Sequence, residues 1–175
     1  ILRHAGVGTL SFDLLTRSED RFVDNHHNVP LLASRLVDGL TVLRQHMLLD
    51  ELPSLPVGLS AAGDCSPVVV RAAAIRDRDI YAVVCRGGLI DLAGMLYLRT
   101  LASPLLVLVG DGEQRVETSN RRALRELTGR KELKLLPASA DAPDSAAAFE
   151  WVARETAHWF VRTLPTATAN TVNRA

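Results

Sequence analysis

A mostly parallel β-sheet with helices on both faces is the fold class this sequence predicts. Three observations carry that expectation. Apolar runs of strand length alternate five times with stretches of helical period along the 175 residues. Several runs are apolar throughout, as "LLVLV" at 105–109 is, which fits strands buried on both faces. Each run leaves through small or turn-forming residues, such as Gly87-Gly88 and Gly110-Asp111-Gly112. Strand–helix alternation of this kind builds parallel sheets through crossover helices, and such sheets bind ligands at the carboxyl ends of their strands.

The elements follow in order. "GTLSFDLL", from Gly8 to Leu15, reads as a buried strand, and "TRSEDRFVDNHHN" after it as a loop. Leu32, Leu36, Leu40, Leu43 and Met47 recur at helical spacing, with Pro30 suited to a first turn and Pro53 and Pro56 beyond the end. "LPVGLSAAG" gives a short strand, and Pro67 opens a helix carried by Val68 to Ala74. "DIYAVVCRGG" is a strand, and "DLAGMLYLRTL" a short helical or irregular link. "SPLLVLVGDG" is the cleanest strand, entered from a proline. Glu117 to Leu127 reads as a helix stopped by Gly129, and "ELKLLPAS" as a short strand. Ser145 can cap a last helix whose apolar face holds Phe149, Val152, Ala153, Trp159, Phe160 and Leu164. The strands near Thr9, Val57, Ala82, Leu106 and Leu133 are expected parallel in one sheet. Residues 1–164 are read as a single domain and 165–175 as a disordered tail.

Composition narrows the function classes. Hydrophobic residues make up 47% and charged residues 23%, a globular balance, and formal net charge is zero. No basic stripe draws nucleic acid or an anionic membrane surface, and Arg121, Arg122 and Arg125 read as a solvated helix face. No apolar run spans a bilayer and no signal-peptide pattern opens the chain. Cys65 and Cys85 form no CxxC pair and read as buried reduced thiols, so the expected location is the cytoplasm. The chain begins at Ile1 rather than methionine, and "ILRHAGVGTL" reads as the end of a helix running into a strand. The expectation is part of a longer protein.

Nucleotide-binding readings fail: there is no GxGxxG and no GxxxxGK[ST], and the Gly6-Val7-Gly8 string precedes a strand. His26 and His27 are adjacent in a loop beside Asp24, which is a poor ligand set for a metal, so neither metal nor cofactor is expected. Chemistry concentrates at three strand ends: "LPVGLSAAGDC", "LLVLVGDGEQRV" and "KLLPASADAPD". The first leads through tiny residues into a helix, as a nucleophile elbow must because its turn is too sharp for side chains. Nucleophile, acid and histidine occupy three such places in that chain order in an α/β hydrolase.

"TLSFDLLT", "VVCRGGLIDLAG", "SPLLVLVGDGE", "NRRAL" and the Phe149–Leu164 helix together resemble the dienelactone hydrolase-like family of the α/β-hydrolase superfamily. The likeness covers nearly the whole chain except the tail. It implies an α/β-hydrolase-like sheet lacking its first strands. It also implies a triad register: Gly63 at the nucleophile, Glu113 at the acid with Asp111 beside it, and a position near Asp141 for the histidine. Gly63 carries no nucleophile, and Ala138 to Ser145 contain no histidine. The five histidines are His4, His26, His27, His46 and His158. The family loop that gives one oxyanion donor precedes the first helix of this chain and lies outside these residues. Ser60, in "GLSAA", becomes the nucleophile only under a three-residue shift, and otherwise reads as a strand-end serine bonded to backbone. Asp13, near the end of the first strand, could line the cleft, but a structural role bonding nearby loop amides is the simpler reading.

The leading functional expectation is a hydrolase-fold domain that has lost its triad and serves in ligand binding or scaffolding. A weak serine esterase or lactonase using Ser60 is the alternative, and a flavodoxin-like binding module a second. Expected partners are a small molecule at the strand carboxyl ends, a second copy or a fused domain, with no nucleic acid and no membrane. The first strands are absent, so an uncovered sheet edge is expected, and such an edge invites pairing.

Overall fold

The computed structural model describes residues 1–76, 78–136 and 145–165. Short turns of helix precede the core, among them α1 (Val23–His26), and lead into the long α2 (Val29–Leu48). Four strands then alternate with helices: β1 (Val57–Ala62), α3 (Ser66–Ile75), β2 (Ile80–Arg86), α4 (Met95–Thr100), β3 (Leu105–Val109), α5 (Gln114–Leu124), β4 (Lys131–Leu135) and α6 (Ala146–Thr163). The sheet order is β1-β2-β3-β4, every pair parallel, and one row of register runs Leu59, Val83, Leu105, Lys131 across all four.

That order dictates the layers. Each strand is added on the same side of the one before, and right-handed crossovers then place every connection on one face. The helices α2, α3, α4 and α5 pack there, over Leu59, Val83, Cys85, Leu105, Val107 and Val109. The opposite face, with Ala82, Val84, Leu106 and Leu108, is left to α6, which buries Trp159 and Phe160 against it. Helices on both faces and the seat of Trp159 and Phe160 are as the sequence predicts.

Local signals explain the helix ends. The Asn28 side chain accepts from Leu31 N–H at 3.1 Å and Pro30 follows in the first turn of α2. Ser145 Oγ accepts from Ala148 N–H at 3.1 Å and caps α6. Four of the five expected strands form, and the exception is Gly8–Leu15. Among the described residues, no backbone group from Gly8 to Leu15 bonds another backbone group. Val7 packs under α6 while Leu14 and Leu15 pack on the opposite face, so the segment wraps past the edge of β1 unpaired. Strand-like sequence without a neighbour does not make a strand.

Smaller differences have local causes. The helix α5 begins at Gln114, not Glu117, because the Glu113 carboxylate closes the preceding turn on Gly110 N–H. Within α6, Phe149 and Leu164 are exposed rather than buried, and Ala148, Thr156 and Ala157 take the inward positions. Cys85 is buried as expected, but Cys65 is exposed, since it lies in the turn after β1 rather than in the core. No described helix is long and apolar enough to cross a membrane.

Candidate functional site at the strand carboxyl ends

The chain leaves β1 through one turn of 3-10 helix, Gly63–Cys65, and enters α3 directly. Gly63 holds φ +55°, the left-handed region that favours glycine, and a Cβ built on it would have nothing within 4 Å. The turn is thus sharp, and its tip opens onto empty space with no side chain there.

A second turn braces the first. Gly87 and Gly88 both have positive φ, and a Cβ on Gly88 would lie 2.0 Å from the Gly63 carbonyl oxygen. Only glycine lets the two backbones approach so closely. Ser66 Oγ donates to Gly87 C=O at 2.9 Å, and Cys85 Sγ donates to Ser66 C=O at 3.6 Å. Asn120, fully buried on α5, donates from Nδ2 to Gly88 C=O at 2.9 Å and accepts Ile90 N–H at 3.1 Å. Sequence reasoning missed Asn120 and Ser66. A signal for Asn120 was present: it occupies the i+4 place in the run Val116, Asn120, Ala123, Leu124, Leu127, an apolar face with one amide in it.

The second expected position follows β3. Glu113 is exposed, and its Oε2 accepts Gly110 N–H at 3.0 Å. Asp111 beside it is exposed. Asp141 lies outside the described residues. Arg86, at the end of β2, stacks its guanidinium 4.5 Å from the centre of the Phe149 ring.

Ser60 does not follow the strand but sits within β1, opposite Val84 in register. It lies on a cleft of about 570 Å³ between β1 and Leu10–Leu15, together with Asp13, His26 and Cys65. No described histidine hydrogen-bonds Ser60, and no described loop amide bonds Asp13. The two adjacent histidines diverge: His26 Nε2 meets the Asp20 carbonyl at 2.9 Å, and His27 Nδ1 lies 3.3 Å from Asp64 Oδ2. His46 pairs with Glu51 and His158 is exposed on α6. Partial burial, with help from the Asp64 carboxylate, pushes the Cys65 thiol up from its ordinary range, which disfavours the thiolate.

A parallel sheet with helices on both faces and a sharp positive-φ turn from strand into helix is the arrangement of an α/β-hydrolase fold. The chain belongs to the dienelactone hydrolase family: it is similar to the dienelactone hydrolase of Anabaena variabilis, with 32% identity and a TM-score of 0.83 over 94% of this chain and 76% of that one. A protein from Bacteroides ovatus provisionally named a dipeptidyl aminopeptidase IV shares the fold alone, at 11% identity and a TM-score of 0.58 over 78% of this chain and 23% of that one. In two strains of Mycobacterium tuberculosis, proteins provisionally named phosphoribosyl transferases are 36% identical over 161 residues. The match takes in 92% of this chain but only 35% of theirs, so the chain spans about a third of their length. No protein-family model matches the chain.

Proposed function

We propose that this is a hydrolase-fold domain without a working Ser-His-acid triad, one that binds a ligand at its strand carboxyl ends or scaffolds a partner. The carrying observation is Gly63: the position that turns as a nucleophile elbow turns holds no side chain. Acyl transfer needs a nucleophile, a base to take its proton and donors for the oxyanion, and these act as one unit. Losing one member of such a unit removes several orders of magnitude in rate. Glu113, the acid position, spends an oxygen on closing its own turn, and the register near Asp141 carries no histidine in the sequence.

The phosphoribosyl transfer for which the mycobacterial relatives are named is not carried over to this chain, which matches only 35% of their length. The chain carries no glycine-rich phosphate loop between a strand and a helix. An esterase using Ser60 is the weaker reading, because that serine sits mid-strand with no histidine bonded to it. The test is direct. The purified chain is exposed to short p-nitrophenyl esters, dienelactones and a fluorophosphonate probe. Background rates and no label are expected. Stoichiometric labelling at Ser60, abolished by Ser60→Ala with the fold intact, overturns the reading.

A further inference from the structure

A groove between α4 and α5 takes no part in the strand-end site. It encloses about 790 Å³, and its lining includes the buried Leu98 and Ala123 and the exposed Met95. Leu92 and Leu96, neighbours of Met95 in the chain, are exposed as well. From the other side α5 contributes Arg115, Thr118, Ser119 and Arg122, which follow one another at i, i+3, i+4 and i+7 and so share one helix face.

The charges of this groove are arranged in an order. Arg121, on the same helix, pairs with Glu117 at 2.8 Å, and Arg99 on α4 pairs with Glu126 at 3.0 Å. Arg115 and Arg122 have no acid among the described residues, although Asp91 and Glu126 line the same groove. Glu126 is held by Arg99, and Asp91 accepts from Ser119 Oγ at 3.2 Å. Along α5 the groove therefore presents plus at Arg115, minus where Asp91 meets Ser119, and plus at Arg122. A helix rises about 1.5 Å per residue, so the two arginines stand about 10.5 Å apart along α5, with the acid between them.

From this order we infer that the groove docks a helix of another protein, one that presents acid, base and acid at about one-turn intervals beside an apolar stripe. A helix matches because the spacing to be met is itself that of a helix face, and amphipathic helices seat in grooves of this kind on apolar anchors. The apolar stripe would cover Met95 and Leu96. The charges would set register and partner choice, the usual part of charge complementarity at an interface. A second copy does not fit: no helix of this chain carries two acids seven residues apart. A nucleic acid fits worse, because its phosphates would meet Asp91 between the arginines. The inference goes beyond the reading of the strand-end site and does not rest on it.

The experiment uses the intact chain and a fluorescein-labelled, amidated helical peptide, AAAEAALKAAEAALAA, followed by fluorescence anisotropy. Saturable binding is expected. The permuted peptide AAAEAALEAAKAALAA has the same composition and net charge but the wrong order, and should bind about tenfold more weakly. Arg115→Gln and Arg122→Gln should each weaken the ordered peptide about threefold or more, without lowering the melting temperature, since both side chains are exposed. Arg121→Gln, which has its own acid and lies off this face, should change nothing. No binding, equal binding of the two peptides, or equal effects of all three arginine changes overturns the inference. So does displacement of the peptide by a single-stranded oligonucleotide at the same site, or a concentration-dependent dimer lost in Arg122→Gln, which would make nucleic acid or a second copy the occupant.

Discussion

The carbonyl oxygen of Gly63 occupies the space a side chain at Gly88 would need, 2.0 Å from the Cβ position. Elbow and brace are therefore a matched pair of glycines with different tolerances. Gly88→Ala must both adopt φ +70° and push Gly63 away. The left-handed conformation alone costs about 1–2 kcal/mol. With the clash, a loss of about 3 kcal/mol is expected, a drop in melting temperature of roughly 6–12 °C for a chain this long. Thermal unfolding followed by circular dichroism checks it. An unchanged melting temperature would mean that the two turns are not packed as described.

Gly63→Ser faces no such obstacle, since its Cβ has open space around it. The expected penalty is the φ term alone, about 1–2 kcal/mol. The variant places a hydroxyl at the elbow with no histidine to accept its proton. Ester hydrolysis should stay at background. A gain of a hundredfold over the parent would show that a base is present after all.

Asn120→Ala removes both bonds that hold the Gly87-Gly88 turn and leaves the buried Ile90 amide unsatisfied. A buried unpaired group costs about 1–3 kcal/mol, so a loss of roughly 2–4 kcal/mol is expected in denaturant titration. Asn120→Asp keeps the acceptor for Ile90 N–H and loses the donor to Gly88 C=O. It should unfold at a lower denaturant midpoint than the parent. Loss of less than half a kilocalorie in the alanine variant would remove Asn120 from its bracing role.

Burial pushes the Cys85 thiol up to about 12 from an ordinary value near 9, opposed only by the Ser66 side chain. The unfolded chain therefore releases this proton at lower pH than the folded one. The stabilisation is full below about pH 9 and is lost as pH rises towards 12. Equilibrium unfolding across that window should show stability falling with pH, and falling less in Cys85→Ala. At neutral pH a thiol reagent should reach Cys65 in the native chain and both cysteines only in denaturant.

Legibility in the sequence tracked the range of the interactions. The helices α2 and α6 were readable because the signals at their starts, Pro30 and Ser145, act within a few residues. The strands β2 and β3 were readable because burial on both faces makes them uniformly apolar. Gly8–Leu15 misled because a strand is a property of two segments, and no pattern within one of them reports whether the other is there. At the site, the small residues around Gly63 announced the turn. What holds that turn is non-local: Ser66 reaches Gly87 over 21 residues and Asn120 reaches Gly88 over 32. Ser60 was misplaced by the least reliable part of such readings, the point at which a strand stops.

Among the described residues, one face of the sheet rests under four helices and the other under a single helix, α6. The consequence concerns how the molecule comes apart. Detaching α6 needs no disruption of the α2–α5 layer, yet it uncovers Ala82, Val84, Leu106 and Leu108 at once. A partial opening of this kind lies below the free energy of complete unfolding. When such openings are rapid, proteolysis follows their population rather than the global equilibrium. Susceptibility to a protease would then be set by how tightly Trp159 and Phe160 hold α6 down, the latter against the bare backbone of Gly58, where a Cβ would stand 2.5 Å from its ring.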